Sequence, residues 1–250
     1  MSTKQRVKNL RFSEASREGC LREDGLNLDL RYILRPMESF YLLENVTPIE
    51  PSDKLCEDLA YIAVHVTVNN EQSRRDIIAA VLKDVLSRFD ADRIHLFQNE
   101  PQRWKSKTVQ YTGVLDYVIG STAGSSRMFL IEAKDSWSDQ SVYQVVMQLG
   151  CLQKQRSDKT PVFALLTNGL FYRFFAIDAE MTVYASRHLL FDCMRNSHFK
   201  DDPALKIILR WLFWLISCIM GISPSYNIES TETTRTSLLQ TIKGQLGPRL

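Results

Sequence analysis

The sequence predicts an α/β fold, a mixed sheet flanked by helices, and three observations carry that prediction. Two stretches, 71–89 and 138–155, repeat apolar residues at helical spacing. Short apolar runs rich in β-branched and aromatic residues lie at 94–97, 113–119, 128–134, 161–167 and 170–177. The resulting order is helix, strand, strand, strand, helix, strand, strand. It lacks the regular βα alternation of a purely parallel sheet.

The elements follow in order. Residues 1–35 open on a basic cluster (Lys4, Arg6, Lys8, Arg11) and lack clear periodicity, so they read as a flexible arm or, more sharply, a phosphate-binding one. Pro36, Pro48 and Pro51 mark 36–60 as connecting chain. Residues 61–68 alternate like a strand. Asn69 and Asn70 then offer an N-cap to the first helix, whose apolar stripe is Ile77, Ile78, Val81, Leu82, Val85 and Phe89. Glu71 precedes Ile78 by seven residues and is expected on the inward face, although a first-turn glutamate also suits the helix dipole.

A polar stretch, 98–107, follows the 94–97 strand. The strands at 113–119 and 128–134 are joined by turn-forming residues at 121–127. The second helix carries Val142, Val145, Val146, Leu149 and Leu152 on one face, with Gln140, Gln144 and Gln148 spaced by four. Asn168-Gly169 between two apolar runs predicts a hairpin, and 181–190 a further strand. Asp202-Pro203 starts a C-terminal helix, and the Ser/Thr-rich stretch from Ser223 reads as a mobile tail.

Composition sets bounds. A chain of 250 residues with 44% hydrophobic and 24% charged residues can bury a sizeable core, and a net charge of +2 neither demands nor excludes a nucleic-acid partner. Five scattered cysteines without a C-x-x-C pair argue against a zinc site or a disulfide framework and for a reducing compartment. The opening residues lack an apolar h-region, so no signal peptide is expected and the location is expected to be intracellular, cytoplasm or nucleus. The most apolar stretch, 207–220, contains Arg210 and is too short to span a bilayer. It reads as a core helix or a homo-oligomer contact, with no membrane role. The four histidines show no metal-ligand spacing, and neither a G-x-S-x-G elbow nor a phosphate-binding P-loop is present.

The chemistry is concentrated in the two middle strands. Asp116 interrupts the apolar run 113–119, and Glu132 and Lys134 end the run 128–134, two apart and therefore on one strand face. Burying carboxylates is costly unless they are paired or bind metal. Glu-x-Lys alone carries little weight, since chance supplies about one such triplet in a chain of this composition. Its neighbours give it meaning: Asp116 on the preceding strand, Glu71 opening the first helix, and the glutamine-bearing helix behind. A cross-strand ion pair on an exposed edge is the alternative for Asp116, Glu132 and Lys134, and a solvated helix ridge for Gln144 and Gln148.

This arrangement resembles the PD-(D/E)XK nuclease superfamily, whose restriction-endonuclease-like core is αβββαβ. The resemblance covers roughly residues 68–178. Asp116 matches the first acid, Glu132 and Lys134 the E-x-K element, Glu71 the helix-one glutamate, and Gln144, with Gln148 second, the glutamine after the third strand. Leu115 stands where the family usually has proline. Within the superfamily, the chain looks most like Crinkler-type and retrotransposon-associated nuclease domains and the N-terminal nuclease domain of type I restriction subunits. The resemblance implies an N-terminal extension (1–60), a nuclease-like domain (61–195) and a C-terminal helix with its tail (196–250).

It further implies Mg²⁺ or Mn²⁺ held by Asp116, Glu132, the Ala133 carbonyl and Glu71, with Lys134 and Gln144 completing the catalytic set. Hydrolysis of phosphodiesters follows, in DNA more than RNA. The alternative is an inactive nucleic-acid-binding or protein-interaction module that keeps the fold. Candidate nucleic-acid contacts are Arg103, Trp104, Lys105 and Lys107 before the first charged strand, and Gln148, Lys154, Arg156 and Lys159 on and after the second helix. Basic residues beside an aromatic suit phosphate contact and base stacking.

Overall fold

The computed structural model describes residues 7–32, 49–121, 127–156, 161–193 and 198–219. They form a mixed sheet with helices packed on its two faces, which is the α/β class expected. The elements are β1 (Lys8–Arg11), α1 (Arg17–Leu21), β2 (Asp29–Tyr32), α2 (Asp53–His65), α3 (Glu71–Leu86), β3 (Ile94–Lys105), β4 (Val109–Ser121) and β5 (Arg127–Ala133). There follow α4 (Asp139–Gln155), β6 (Val162–Thr167), β7 (Phe171–Ile177), β8 (Thr182–Ala185), β9 (Leu189–Leu190) and α5 (Pro203–Ile219). The sheet order is β1-β4-β5-β6-β7-β8-β2, with β3 also on β4 and β9 also on β7. β5 and β6 run parallel, joined by the crossover helix α4, while β3/β4, β4/β5 and β6/β7 are antiparallel. From α3 to β6 the chain therefore reads helix, three strands, helix, strand.

Strand alternation divides the core. Tyr117, Ile119, Phe129 and Ile131 point to one face, where α2, α3 and α5 cover them. Val118, Leu130, Ala164 and Leu166 point to the other, under α4 and the N-terminal segment. The predicted helix ends are built as the sequence suggests. The Asn70 side chain accepts from the Ser73 N–H at 2.9 Å, and the Ser73 hydroxyl oxygen accepts from the Asn70 N–H, a reciprocal cap for α3. Ser138 accepts from Ser141 N–H at 3.1 Å to start α4, and Asp202 accepts from Leu205 N–H at 2.8 Å to start α5. The Asn168-Gly169 hairpin is present: Gly169 has φ +82°, and the Asn168 side-chain oxygen Oδ1 takes the N–H groups of Leu170 and Phe171.

Three expectations need correction. Residues 61–65 are the last turns of α2, not a strand, because Leu55, Leu59 and Ile62 recur at helical spacing and bury together. The stretch 98–105 is no polar loop but the continuation of β3, paired along β4 from Gln98 to Lys105. The described part of the N-terminal arm, 7–32, lies in the same sheet and core: β1 pairs β4, β2 pairs β8, and Phe12, Cys20, Leu26 and Leu28 are buried. α5 puts Leu205, Ile208, Leu209, Trp211, Leu212, Leu215 and Ile216 into the protein's own core, the first of the two readings of that stretch. No helix among the described residues is long and apolar enough to cross a membrane. Most of the 121–127 turn, Lys159 and the 223–250 tail lie outside the described residues.

Candidate active site

The site forms where the β4–β5 ladder ends. Tyr117 stands opposite Ile131 and Val118 opposite Leu130, and continuing that register sets Asp116 opposite Glu132. The ladder stops there. Asp116 Oδ2 instead accepts the Ala133 backbone N–H at 2.8 Å, which tilts its carboxylate across the strand end. β3 is irregular at the same level: Gln98 pairs with Tyr117 and Glu100 with Leu115, while Asn99 between them adopts φ +52°. Asparagine tolerates that left-handed conformation better than most residues.

Helices from both sides of the sheet meet the two acids. From α3, the Arg75 guanidinium reaches Asp116 Oδ1 at 2.6 Å and Glu71 Oε1 at 2.7 Å. From α4, the side-chain amides of Gln144 and Gln148 donate to the two oxygens of Glu132, the latter at 2.8 Å. Lys134 Nζ sits 2.7 Å from Glu132 Oε1, and the Lys134 backbone is pinned by its N–H to the Thr167 carbonyl at 2.9 Å. Gln148 is held in turn, its main-chain carbonyl accepting from the Gln102 amide of β3 at 3.2 Å.

The electrostatics single out Glu132. Burial pushes the Glu132 carboxyl up to about 7; the Asp116 charge adds to this, and Lys134 only partly opposes it. Burial alone would lower the Lys134 ammonium, but Glu132, then Asp116 and Glu71, outweigh it and hold Lys134 above its ordinary value. It is a cation at neutral pH. Burial likewise works against the Arg75 charge, and Glu71 and Asp116 more than restore it.

The sequence-predicted residues therefore converge in part. Asp116, Glu132, Lys134, Gln144 and Gln148 form one connected cluster. Gln144 and Gln148 are buried and hold Glu132, which removes the solvated-ridge alternative. Ala133 contributes its N–H to Asp116, and because N–H and C=O of one strand residue point to the same side, its carbonyl faces the same gap. Glu71 does not point inward: its side chain is 47% exposed and bonded to Arg75. Its place seven residues before Ile78 puts it on the right stripe, but in the exposed first turn, where Arg75 takes its carboxylate.

The candidate nucleic-acid residues form an edge rather than a loop. Arg103 lies on β3 and donates to Gln110 at 2.6 Å; Trp104 packs half-buried with its ring 5.6 Å from that of Tyr111; Lys105 and Lys107 are exposed. Gln155 of α4 donates to the Arg103 carbonyl at 2.6 Å, so exposed Lys154 and the helix-ending Arg156 join the same edge. Lys154 lies six residues beyond Gln148, about 9 Å along the helix axis.

Two participants escaped the sequence reading. Gln102 carried no signal beyond its type. Arg75 did carry one, four residues after Glu71 on a predicted helix, where an i,i+4 ion pair is expected; its reach to Asp116 spans 41 residues and needs the fold.

Both carboxylates supply hard oxygen donors, and each retains acceptor capacity beyond the bonds named, since a carboxylate has about four lone-pair positions. Among the described residues no group of three or more His, Cys, Asp or Glu side chains is arranged to hold a metal ion. A two-carboxylate site completed by substrate phosphate is compatible with that arrangement. No protein-family model matches the chain, and a search of curated proteins finds no significant match.

Proposed function

We propose that the chain is a Mg²⁺-dependent phosphodiesterase of the restriction-endonuclease-like kind, acting on nucleic acid and on DNA more than RNA. One observation carries the reading: Asp116, Glu132 and Lys134 meet at a strand end, with Glu132 buried and held by Gln144 and Gln148. A salt bridge serving stability alone has no need of a buried carboxylate fixed from a second helix, because desolvation makes such pairs poor stabilisers.

Asp116, Glu132 and the Ala133 carbonyl would hold the cation, and Glu71 stands outside that set behind Arg75. A bound Mg²⁺ supplies charge neutralisation at the phosphoryl oxygens and a more acidic water. The chain's own residues do the rest. Lys134, kept protonated, is a fixed positive charge for the developing negative charge on the phosphate. Gln144 and Gln148 fix the Glu132 rotamer, and the exposed lysines of the β3–α4 edge receive the flanking backbone phosphates.

A second reading, a silent nucleic-acid-binding or protein-interaction module, has its own observation: Asp116 is already neutralised by Arg75 and Glu132 by Lys134. Plasmid and single-stranded substrates incubated with Mg²⁺, Mn²⁺ or EDTA separate the two. The enzyme reading expects cleavage only with metal, reduced by roughly 100-fold or more in Asp116→Ala and in Lys134→Ala. Binding without cleavage, indifferent to both substitutions, establishes the module instead.

A further inference from the structure

We infer that Arg75 is a built-in stand-in cation: its guanidinium occupies Asp116 in the metal-free protein and is displaced when a divalent ion binds. This rests on the cation-site reading above and concerns a residue that reading does not use. The geometry is direct. The Arg75 Nη2 group lies 2.6 Å from Asp116 Oδ1 and 2.7 Å from Glu71 Oε1, and the Arg75 side chain is only 21% exposed. The other Asp116 oxygen already accepts the Ala133 N–H. A cation approaching Asp116 therefore meets a positive charge at hydrogen-bond distance on the oxygen it needs.

Charge explains why the arrangement is stable and why it must open. Glu71, Asp116 and Glu132 face Arg75 and Lys134, three carboxyl groups against two cations. With Glu132 ionised the cluster is one negative charge in excess, and with Glu132 protonated it is balanced. Without Arg75 the mostly buried Asp116 would lose its bonded counter-charge and keep only the Lys134 ammonium, which is bonded to Glu132, beside a second acid, which is costly. With a divalent ion on Asp116 and Arg75 still in place, two like charges would share one oxygen in a partly desolvated site. One of them leaves. Arg75 has somewhere to go: Glu71, four residues back on the same helix, is half exposed and already holds its Nε at 3.1 Å. Rotation of the side chain leaves the guanidinium on Glu71 at the mouth of the site, where its planar fork suits a phosphate.

The consequence is a penalty on cation binding by the free protein. If the open form is about one part in ten of the population, apparent affinity falls about tenfold. The test is Mn²⁺ binding by calorimetry on the full chain without nucleic acid, comparing the native protein with Arg75→Gln, Arg75→Lys, Arg74→Gln and Asp116→Asn, each first melted in EDTA to verify folding. Arg74 is adjacent on α3 but bonds the Asn168 carbonyl and is a control for the loss of one positive charge.

The expected result is Mn²⁺ bound roughly tenfold more tightly by Arg75→Gln, with a smaller gain in Arg75→Lys, whose single ammonium cannot span both carboxylates, no comparable gain in Arg74→Gln, and loss of binding in Asp116→Asn. If Arg75→Gln fails to fold, the gain in Arg75→Lys alone decides. Equal affinity in native and Arg75 variants, or an equal gain in Arg74→Gln, overturns the stand-in role while Asp116-dependent binding preserves the cation site. Absence of Asp116-dependent binding in every protein overturns both.

Discussion

Glu132 concentrates the chemistry of this molecule in one side chain. Its carboxyl is pushed up to about 7 by burial and by Asp116, against an ordinary value of 4.5. A folded-state value above the unfolded one means that the folded protein binds the proton more tightly, so the stability this group contributes is complete below pH 4.5 and is lost as the pH rises through 7. In EDTA, thermal melting followed from pH 4.5 to 8 should therefore show the native protein losing stability relative to Glu132→Gln, whose amide does not titrate. A constant gap between the two across that range would mean that Glu132 is ionised throughout and that Lys134 alone governs it. The other residue-scale lesson concerns legibility. Asp116, Glu132, Lys134 and Gln144 could be read because charged and amide groups inside apolar periodicities are anomalies. Arg75 could not be tied to Asp116, because its ordinary explanation, an ion pair with Glu71, was complete within the helix.

At the scale of elements, what local chemistry determines was legible and what packing decides was not. The Asn70 cap, the helical stripes of α3 and α4, and the Asn168-Gly169 turn are local signals, and each sits where expected. The run from Tyr61 to Val68 alternates polar and apolar residues as a strand would, yet the burial of Leu55, Leu59 and Ile62 carries the helix through to His65. Likewise β3 extends through a polar sequence because β4 offers it hydrogen bonds along its length, a tertiary effect that composition hides. The turn at Gly169 also admits a test. Its φ is +82°, and a Cβ there would lie 3.0 Å from the Arg74 carbonyl oxygen of α3. Gly169→Ala combines left-handed strain with a clash against backbone that cannot rotate away, so a loss of about 1–3 kcal/mol is expected in chemical denaturation. A neutral effect would mean that the hairpin does not bear on α3 as closely as it does here, and α3 carries Arg75.

For the molecule as a whole, the decisive finding is that its N-terminal segment belongs to the sheet that builds the site. β1 lies along the Val109–Thr112 end of β4, the strand that four residues later carries Asp116. The join is tight. Tyr111 donates its hydroxyl to the Gly19 carbonyl at 3.1 Å, and Phe12, 1% exposed, lies directly over Gly113, where a Cβ would come within 2.3 Å of its ring. A basic, aperiodic sequence concealed this, because the segment's order comes from a partner strand about a hundred residues away and not from its own pattern. Glycine at 113 therefore reads as a contact requirement: the ring occupies the space a side chain would fill. Phe12→Ala should cost about 3–5 kcal/mol through the cavity it opens, and Gly113→Ala about 1–3 kcal/mol by forcing the ring off the strand. Because each substitution acts on the same space, the double variant should lose less than the two costs added, by about 1 kcal/mol or more. Urea denaturation of the four proteins measures that coupling. Two small, additive losses would detach residues 7–32 from the fold; a coupled loss makes the segment part of the scaffold that holds Asp116 opposite Glu132.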